Sequence, residues 1–329
     1  MTTMITRLEE ITLSGNRLAM PVFFPSVSTV KTALAPSEYL ATLHSLRDIN
    51  QQFLVSAFDL GRSHNGDGLK HWLTAAQDTG ATVLMDSGNY ESYWKDEQVS
   101  WRQADFHEVL RRFPCTFAFG FDEQNPPADA DAHVGLVVER WRQDQIAAGD
   151  RVIVPIVHGT PESLPELCAR VAQETQVPMI AVAERRLGSG VFERTRSVMA
   201  LRKALDDNGR YVGLHLLGTG NPISIALYAW AGADSFDGLE WCQTVVDHDT
   251  GLLFHLSQSD FFRRQTAWGD GDVSFHARTL AHNLTFYADW TQRLRQAIHH
   301  GDGINFCRFN FPPYVFSQCA EAFGWEAAA

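Results

Sequence analysis

From Leu18 onward the chain alternates short continuous apolar runs with longer stretches whose apolar and polar positions are spaced as on helices. A run apolar at nearly every position, rather than at alternate ones, marks a strand covered on both faces, as in a parallel sheet. Eight such runs occur, at Leu18–Ser26, Phe53–Asp59, Thr82–Asp86, Thr116–Asp122, Arg151–His158, Met179–Glu184, Tyr211–Gly218 and Ala233–Asp237. Between them the spacing predicts helices over Pro36–Leu46, Gly68–Thr79, Trp101–Phe113, Asp129–Ala148, Pro161–Gln173, Val191–Asp207 and Pro222–Ala231. The stretch Pro161-Glu-Ser-Leu-Pro-Glu-Leu167 puts proline and acids in a first helical turn, where a missing N–H is harmless and negative charge suits the dipole.

Eight strands alternating with helices predict the α/β class, as a (β/α)8 TIM barrel with a C-terminal helical decoration. An open doubly wound sheet is the structural rival, but no G-x-G-x-x-G follows the first run. The barrel is expected over residues 1–256, and 257–329 should complete and decorate it. Around that boundary Thr250–Leu256 suggests a small hairpin, Asp272–Ala297 a helix and Phe311–Phe323 a last short helix. The eighth barrel helix must come from this tail.

Composition narrows the function classes. A chain of 329 residues with 45% hydrophobic content can bury a large core. Its formal charge of −12 argues against a broad basic face for nucleic acid, although Arg185-Arg186 and Arg263-Arg264 can each supply a local patch. The five cysteines show no C-x-x-C or C-x-C spacing, so reduced thiols in a cytoplasmic protein are expected, without a disulfide framework or cysteine zinc site. No apolar stretch approaches the ~18 residues of a membrane span.

The candidate chemistry lies at the ends of the apolar runs, the positions from which barrel enzymes act. Asp59, Asp86, Asp122, His158, Glu184 and Asp237 each close one. Any one of them is equally well read as a helix cap or turn residue. Six on one rim favour a site. In Met85-Asp-Ser-Gly-Asn-Tyr-Glu91 a glycine-permitted turn brings a carboxylate and an aromatic ring to the same mouth, where Tyr90 can stack on a planar base while Asp86 acts as acid or base.

Six stretches, in order over residues 80–255, resemble motifs of the tRNA-guanine transglycosylase superfamily, whose members exchange guanine for a 7-deazaguanine within a nucleic acid on a (β/α)8 barrel. Asp86-Ser-Gly-Asn-Tyr-Glu91 is similar to that family's D-S-G-G-F/Y-Q, and Phe121-Asp-Glu-Gln-Asn-Pro126 to F-D-E-C-x-P. Pro155-Ile-Val-His-Gly159 is similar to G-I-V-Q-G, and Ala181-Val-Ala-Glu184 with its following Arg-Arg-Leu to A-V-G-G-L. Leu216-Leu-Gly-Thr-Gly-Asn-Pro222 and Gly232-Ala-Asp-Ser-Phe-Asp237 are similar to L-M-G-x-G-x-P and G-x-D-x-F-D. The resemblance implies that Asp237 attacks the anomeric carbon to form a covalent glycosyl-enzyme, with Asp86 as general acid/base. It implies that Asp122 holds the base's N–H edge, that Tyr90 and Leu217 sandwich its plane, and that His158 replaces a glutamine contacting its carbonyl. Ser87, Gln124, Glu184 and Gly218 complete the base pocket, and neither a metal nor a cofactor is required.

The departures define the expectation further. Asn89, Gln124 and His158 stand where the family has glycine, cysteine and glutamine, and Glu184 stands where its backbone approaches the base, so that it can accept from an exocyclic amine. After Asp237 the family's phosphate-gripping P-T-R-x-x-R is replaced by Gln243-Thr-Val-Val-Asp-His248, and the zinc-binding C-x-C-x-x-C of the tRNA enzymes is missing. These changes lean toward the DNA-modifying branch of the superfamily, with tRNA as the alternative polymer, a 7-deazaguanine such as preQ0 as the incoming base, and no membrane partner. The rivals are a non-catalytic partner subunit of an active transglycosylase and, more remotely, a barrel glycosidase. The aromatic tail, with Phe306, Phe309, Phe311, Tyr314 and Phe316, suggests a homodimer, and the acidic charge suggests accessory partner proteins.

Overall fold

The computed structural model describes residues 6–30, 32–90 and 100–325. It opens with an antiparallel hairpin of β1 (Glu10–Leu13) and β2 (Asn16–Ala19). Eight parallel strands follow, each short and almost wholly buried: β3 (Val22–Val27), β4 (Gln52–Ser56), β5 (Thr82–Asp86), β6 (Phe117–Phe119), β7 (Ile153–Val154), β8 (Met179–Ala183), β9 (Gly213–Leu217) and β10 (Ser235–Gly238). Their order is β7-β6-β5-β4-β3-β10-β9-β8. At the seam a parallel bridge joins Ile156 to Ala181, with Val157 N–H donating to the Ala181 carbonyl at 2.9 Å and Ala181 N–H to the Pro155 carbonyl at 3.0 Å. The fold is therefore α/β, with a nearly closed eight-stranded parallel barrel of the TIM-like kind and helices at its C-terminal end.

Alternation along the strands separates two cores. Residues pointing inward, among them Phe24, Leu54, Leu84, Phe117, Phe119 and Met179, pack the barrel interior, where Ile11, Leu13 and Leu18 of the hairpin join them. Residues pointing outward meet the helices in a larger core. Each such buried side chain contributes roughly 1.5–3 kcal/mol relative to exposure.

Several boundaries differ from the sequence expectation. The first run divides, because Leu18 belongs to the hairpin and the barrel strand begins only at Val22. The second run ends at Ser56, whose hydroxyl accepts the Asp59 N–H and so starts the helix Ala57–Arg62. Asp59 consequently lies inside a helix and not at a strand end; its carboxylate accepts the Thr29 N–H at 2.6 Å and the Thr29 hydroxyl at 2.5 Å. The helix expected from Pro161 starts at Leu164. The hairpin of the tail pairs β11 (Thr244–Val246) with β12 (Leu253–His255); the last expected helix spans Pro313–Phe323, and a further helix, Gly303–Asn310, precedes it.

The long helix Phe275–His299 returns to the barrel beside its first strand. Tyr287 stacks on Phe23 at 4.5 Å, Arg295 donates to the Pro21 carbonyl at 3.1 Å, and Tyr287 Oη donates to the Gly220 carbonyl at 2.7 Å. Asn283 of the same helix donates to the carbonyls of Trp241 and Thr244 at 2.8 and 2.7 Å and accepts the Val246 N–H at 3.0 Å. The tail thus fixes the path of the chain just after β10.

At the opposite end of β10, Asp234 is fully buried. It accepts the Arg7 Nε–H at 3.0 Å, the Tyr211 hydroxyl at 2.6 Å and the Leu214 N–H at 2.9 Å, with Arg202 at 3.6 Å. Removing the carboxylate would strand buried cationic and polar partners. Asp234→Ala is expected to lose about 3–5 kcal/mol of stability in urea unfolding, and a loss below about 1 kcal/mol, the worth of an exposed pair, would refute a clamping role.

Candidate active site

At the C-terminal ends of the strands lies a cavity of about 370 Å³. Every residue to which the family resemblance gives a role lines it, from Asp86 at the end of β5, with Ser87 and Tyr90 just beyond, to Leu217 and Gly218 at the end of β9 and Asp237 on β10. Asp59 does not, because it lies within the helix Ala57–Arg62 and turns to Thr29. Glu91, the last residue of the Asp86 motif, lies outside the described residues.

Asp237 sits in β10, between β3 and β9, and both neighbours supply donors. Its Oδ2 accepts the Ser26 hydroxyl at 2.9 Å, and its Oδ1 accepts the Gly218 N–H at 3.0 Å and a proton from His215 Nε2 at 3.1 Å. An imidazole donating from Nε2 is left with Nδ1 as acceptor, which the Ser235 hydroxyl meets at 2.7 Å. Gly218 has φ +77°, a left-handed conformation that brings its N–H round to the carboxylate. Four groups therefore fix where Asp237 points, three directly and Ser235 through the ring.

Asp86 closes β5, and its Oδ2 accepts the Gly88 N–H at 2.9 Å. Burial pushes its pKa from the ordinary 3.8 up to about 7; the Gly88 and Ser87 N–H groups oppose the rise, and the charges of Asp122 and Asp237 add to it. Two carboxyl groups in one cavity, one held by converging donors and one kept protonated toward neutrality, are suited to separate nucleophilic and acid/base duties.

Asp122 follows β6 by a short extension and is 8% exposed. Its carboxylate meets His158 Nε2 at 2.5 Å, accepts Asn89 Nδ2 at 3.2 Å and is bonded by the Gln124 amide. Helix Ala130–Ala148 holds this segment from behind. Asp144, wholly buried, accepts the Phe121 N–H at 2.6 Å, and Arg140, one turn earlier, donates to the Asp122 carbonyl at 3.0 Å. Glu184, at the end of β8, accepts the Tyr228 hydroxyl at 2.9 Å and pairs with Arg194 at 3.0 Å.

Tyr90 is 39% exposed at the mouth. The Arg185 guanidinium lies over its ring with Cζ 4.1 Å from the centroid.

Three contributors were not assigned from the sequence. Ser26 and His215 are polar residues within apolar runs, and only the register that turns them toward Asp237 gives them significance. Glu240 follows Asp237 in the short helix Glu240–Gln243 and lines the cavity. Its carboxylate lies so close to Gly220 that a Cβ there would be 1.9 Å from Oε2, and any larger residue would have to push the carboxylate aside. Burial pushes Glu240 from 4.5 up to about 7, its own and the Gly220 N–H opposing the rise and the charges of Asp237 and Glu184 adding to it. The signal available was an acid soon after Asp237 in Phe236-Asp-Gly-Leu-Glu240.

Among the described residues no three His, Cys, Asp or Glu side chains are grouped to hold a metal ion, and no helix is long and apolar enough to cross a membrane.

Asp86 and Glu240 hold their protons to about pH 7 in the folded chain, well above the carboxylate range of an unfolded one. The folded state therefore binds more protons over that interval, and stability falls as pH rises through it. Asp86→Asn and Glu240→Gln, which cannot ionise, should each raise the melting temperature over wild type by several degrees near pH 8 and by little or nothing near pH 4. Melting curves whose difference does not change with pH would exclude the assigned protonation.

A scan against protein-family models and a search of curated proteins find no match to this chain.

Proposed function

We propose that this chain is a base-exchanging transglycosylase, acting from a (β/α)8 TIM barrel with a C-terminal helical decoration and replacing guanine in a nucleic acid, with DNA favoured, by a 7-deazaguanine such as preQ0. The observation that carries the reading is the meeting, in one cavity, of Asp237 and Asp86 with the residues that resemble the family's base pocket. Six separate sequence stretches contribute to that cavity.

In this reading Asp237 attacks C1′ of the target nucleotide, most readily through Oδ2, which carries one donor against two on Oδ1. The C1′–N9 bond breaks, its electron pair leaves with guanine, and the proton on Asp86 neutralises the departing base. The incoming 7-deazaguanine returns its N9 proton to Asp86, and N9 then attacks C1′ and displaces the Asp237 carboxylate. Two displacements at one carbon retain its configuration. Asp122, with His158 and Gln124 bonded to its carboxylate, presents a fixed acceptor to the N–H edge of the base. Glu184 keeps one oxygen on Tyr228 and Arg194, which orients it toward an amine on the far side of the base.

The test is incorporation of a labelled 7-deazaguanine into duplex DNA and into total tRNA, side by side. Wild type should label DNA. Asp237→Ala should label nothing, and Asp86→Asn should be slowed by about 10²–10⁴-fold. Label in tRNA alone would move the polymer assignment; normal exchange by Asp237→Ala would remove the nucleophile; no label in either polymer would favour the partner-subunit reading.

A further inference from the structure

The cavity is rich in carboxyl groups and poor in cations. Five carboxyl side chains line it, those of Asp86, Asp122, Glu184, Asp237 and Glu240, and among the described residues a single guanidinium, Arg185, stands with them. Of the neighbouring arginines, Arg194 pairs with Glu184 at 3.0 Å, Arg140 with Glu123 at 2.9 Å, and Arg186, which does not line the cavity, donates to the Gln124 carbonyl at 3.2 Å. Arg185 has no carboxylate partner among the described residues. It donates from Nη2 to Gln124 Oε1 at 2.9 Å, and its plane lies over the Tyr90 ring at 4.1 Å. A flexible side chain is thereby held at two points, in an exposed position at the rim, with its remaining N–H edge unused by the described residues.

A guanidinium held in place, with no carboxylate to meet it among the described residues, is fitted to an external anion, and its planar fork matches the two oxygens of a phosphate. The identity of that anion follows from the proposed function, on which this inference rests. A nucleotide turned out of its strand brings its base into the cavity and leaves its flanking phosphates at the mouth. Walls lined with carboxyl groups offer those phosphates no counter-charge, so a cation is needed at the rim. We propose that Arg185 binds a backbone phosphate beside the extruded nucleotide, and that the Tyr90 ring and Gln124 serve as its platform. The grip that the missing arginines after Asp237 would provide is thus relocated to the 3-10 turn Glu184–Arg186 after β8.

The readout is binding and not turnover. Affinity for a short fluorescein-labelled duplex DNA is measured by anisotropy over a series of salt concentrations, with a tRNA transcript and inorganic phosphate as separate competitors. Each phosphate contact contributes about −0.9 to the slope of log K against log salt. Arg185→Ala should reduce the magnitude of the slope by about 1. Arg185→Lys keeps the charge and should keep most of the slope while binding more weakly, because it loses the planar fork. Arg142→Ala, an exposed arginine outside the cavity, should change neither. A slope unmoved by Arg185→Ala, in a protein that binds nucleic acid, overturns this inference alone. Wild type that binds neither DNA nor tRNA overturns the proposed function with it. Displacement of DNA by inorganic phosphate at equal concentration would mean a site for free phosphate and also refute the assignment.

Discussion

Collecting carboxyl groups in one cavity is the constraint to which much of this molecule answers. Each buried acid must either find donors or keep its proton, and the chain uses both solutions. Asp237 and Asp122 are surrounded by donors from neighbouring strands and loops. Asp86 and Glu240 have fewer, and burial raises their pKa values. Burial with few donors is what raises Asp86 and Glu240, and an acid that keeps its proton toward neutrality is a property that two-carboxylate chemistry needs.

That distribution depends on elements far from the cavity in sequence. Helix Ala130–Ala148 supports Asp122 through the backbone, by Asp144 on the Phe121 N–H and Arg140 on the Asp122 carbonyl. Helix Phe275–His299 supports the opposite side, by Tyr287 on the Gly220 carbonyl and Asn283 on the turn after Glu240. The tail is therefore part of the site's mechanical support as well as the neighbour of β3. Arg185 belongs to a third layer at the rim, where its bond to Gln124 connects it to the amide that also holds Asp122.

Strands buried on both faces were legible in the amino-acid sequence, because a short continuous apolar run bounded by polar residues needs cover on both sides and a parallel sheet flanked by helices provides it. Legibility failed where local hydrogen bonding competes with strand continuation. At Ser56 the hydroxyl caps a helix, and Asp59 is drawn from the rim into that helix. At Leu18 a hairpin takes the first residues of the run, since the apolar pattern of a two-stranded ribbon and that of a barrel strand merge when only a short link separates them.

Asp86, Asp122, His158, Glu184 and Asp237 were legible because each ends or closely follows an apolar run, and a parallel barrel brings all such ends to one side. The chain's own order of apolar runs and polar ends therefore determined which carboxylates would share a rim. It did not determine which oxygen of Asp237 meets which donor, that His215 would face inward to it, or that Glu240 would fold back over Gly220. Those depend on strand register and on contacts with a helix more than thirty residues farther along the chain. Hydrophobic periodicity is a local property and is written in adjacent residues; the solvation of a buried charge is set by whatever surrounds it in space, and only the tertiary structure decides that.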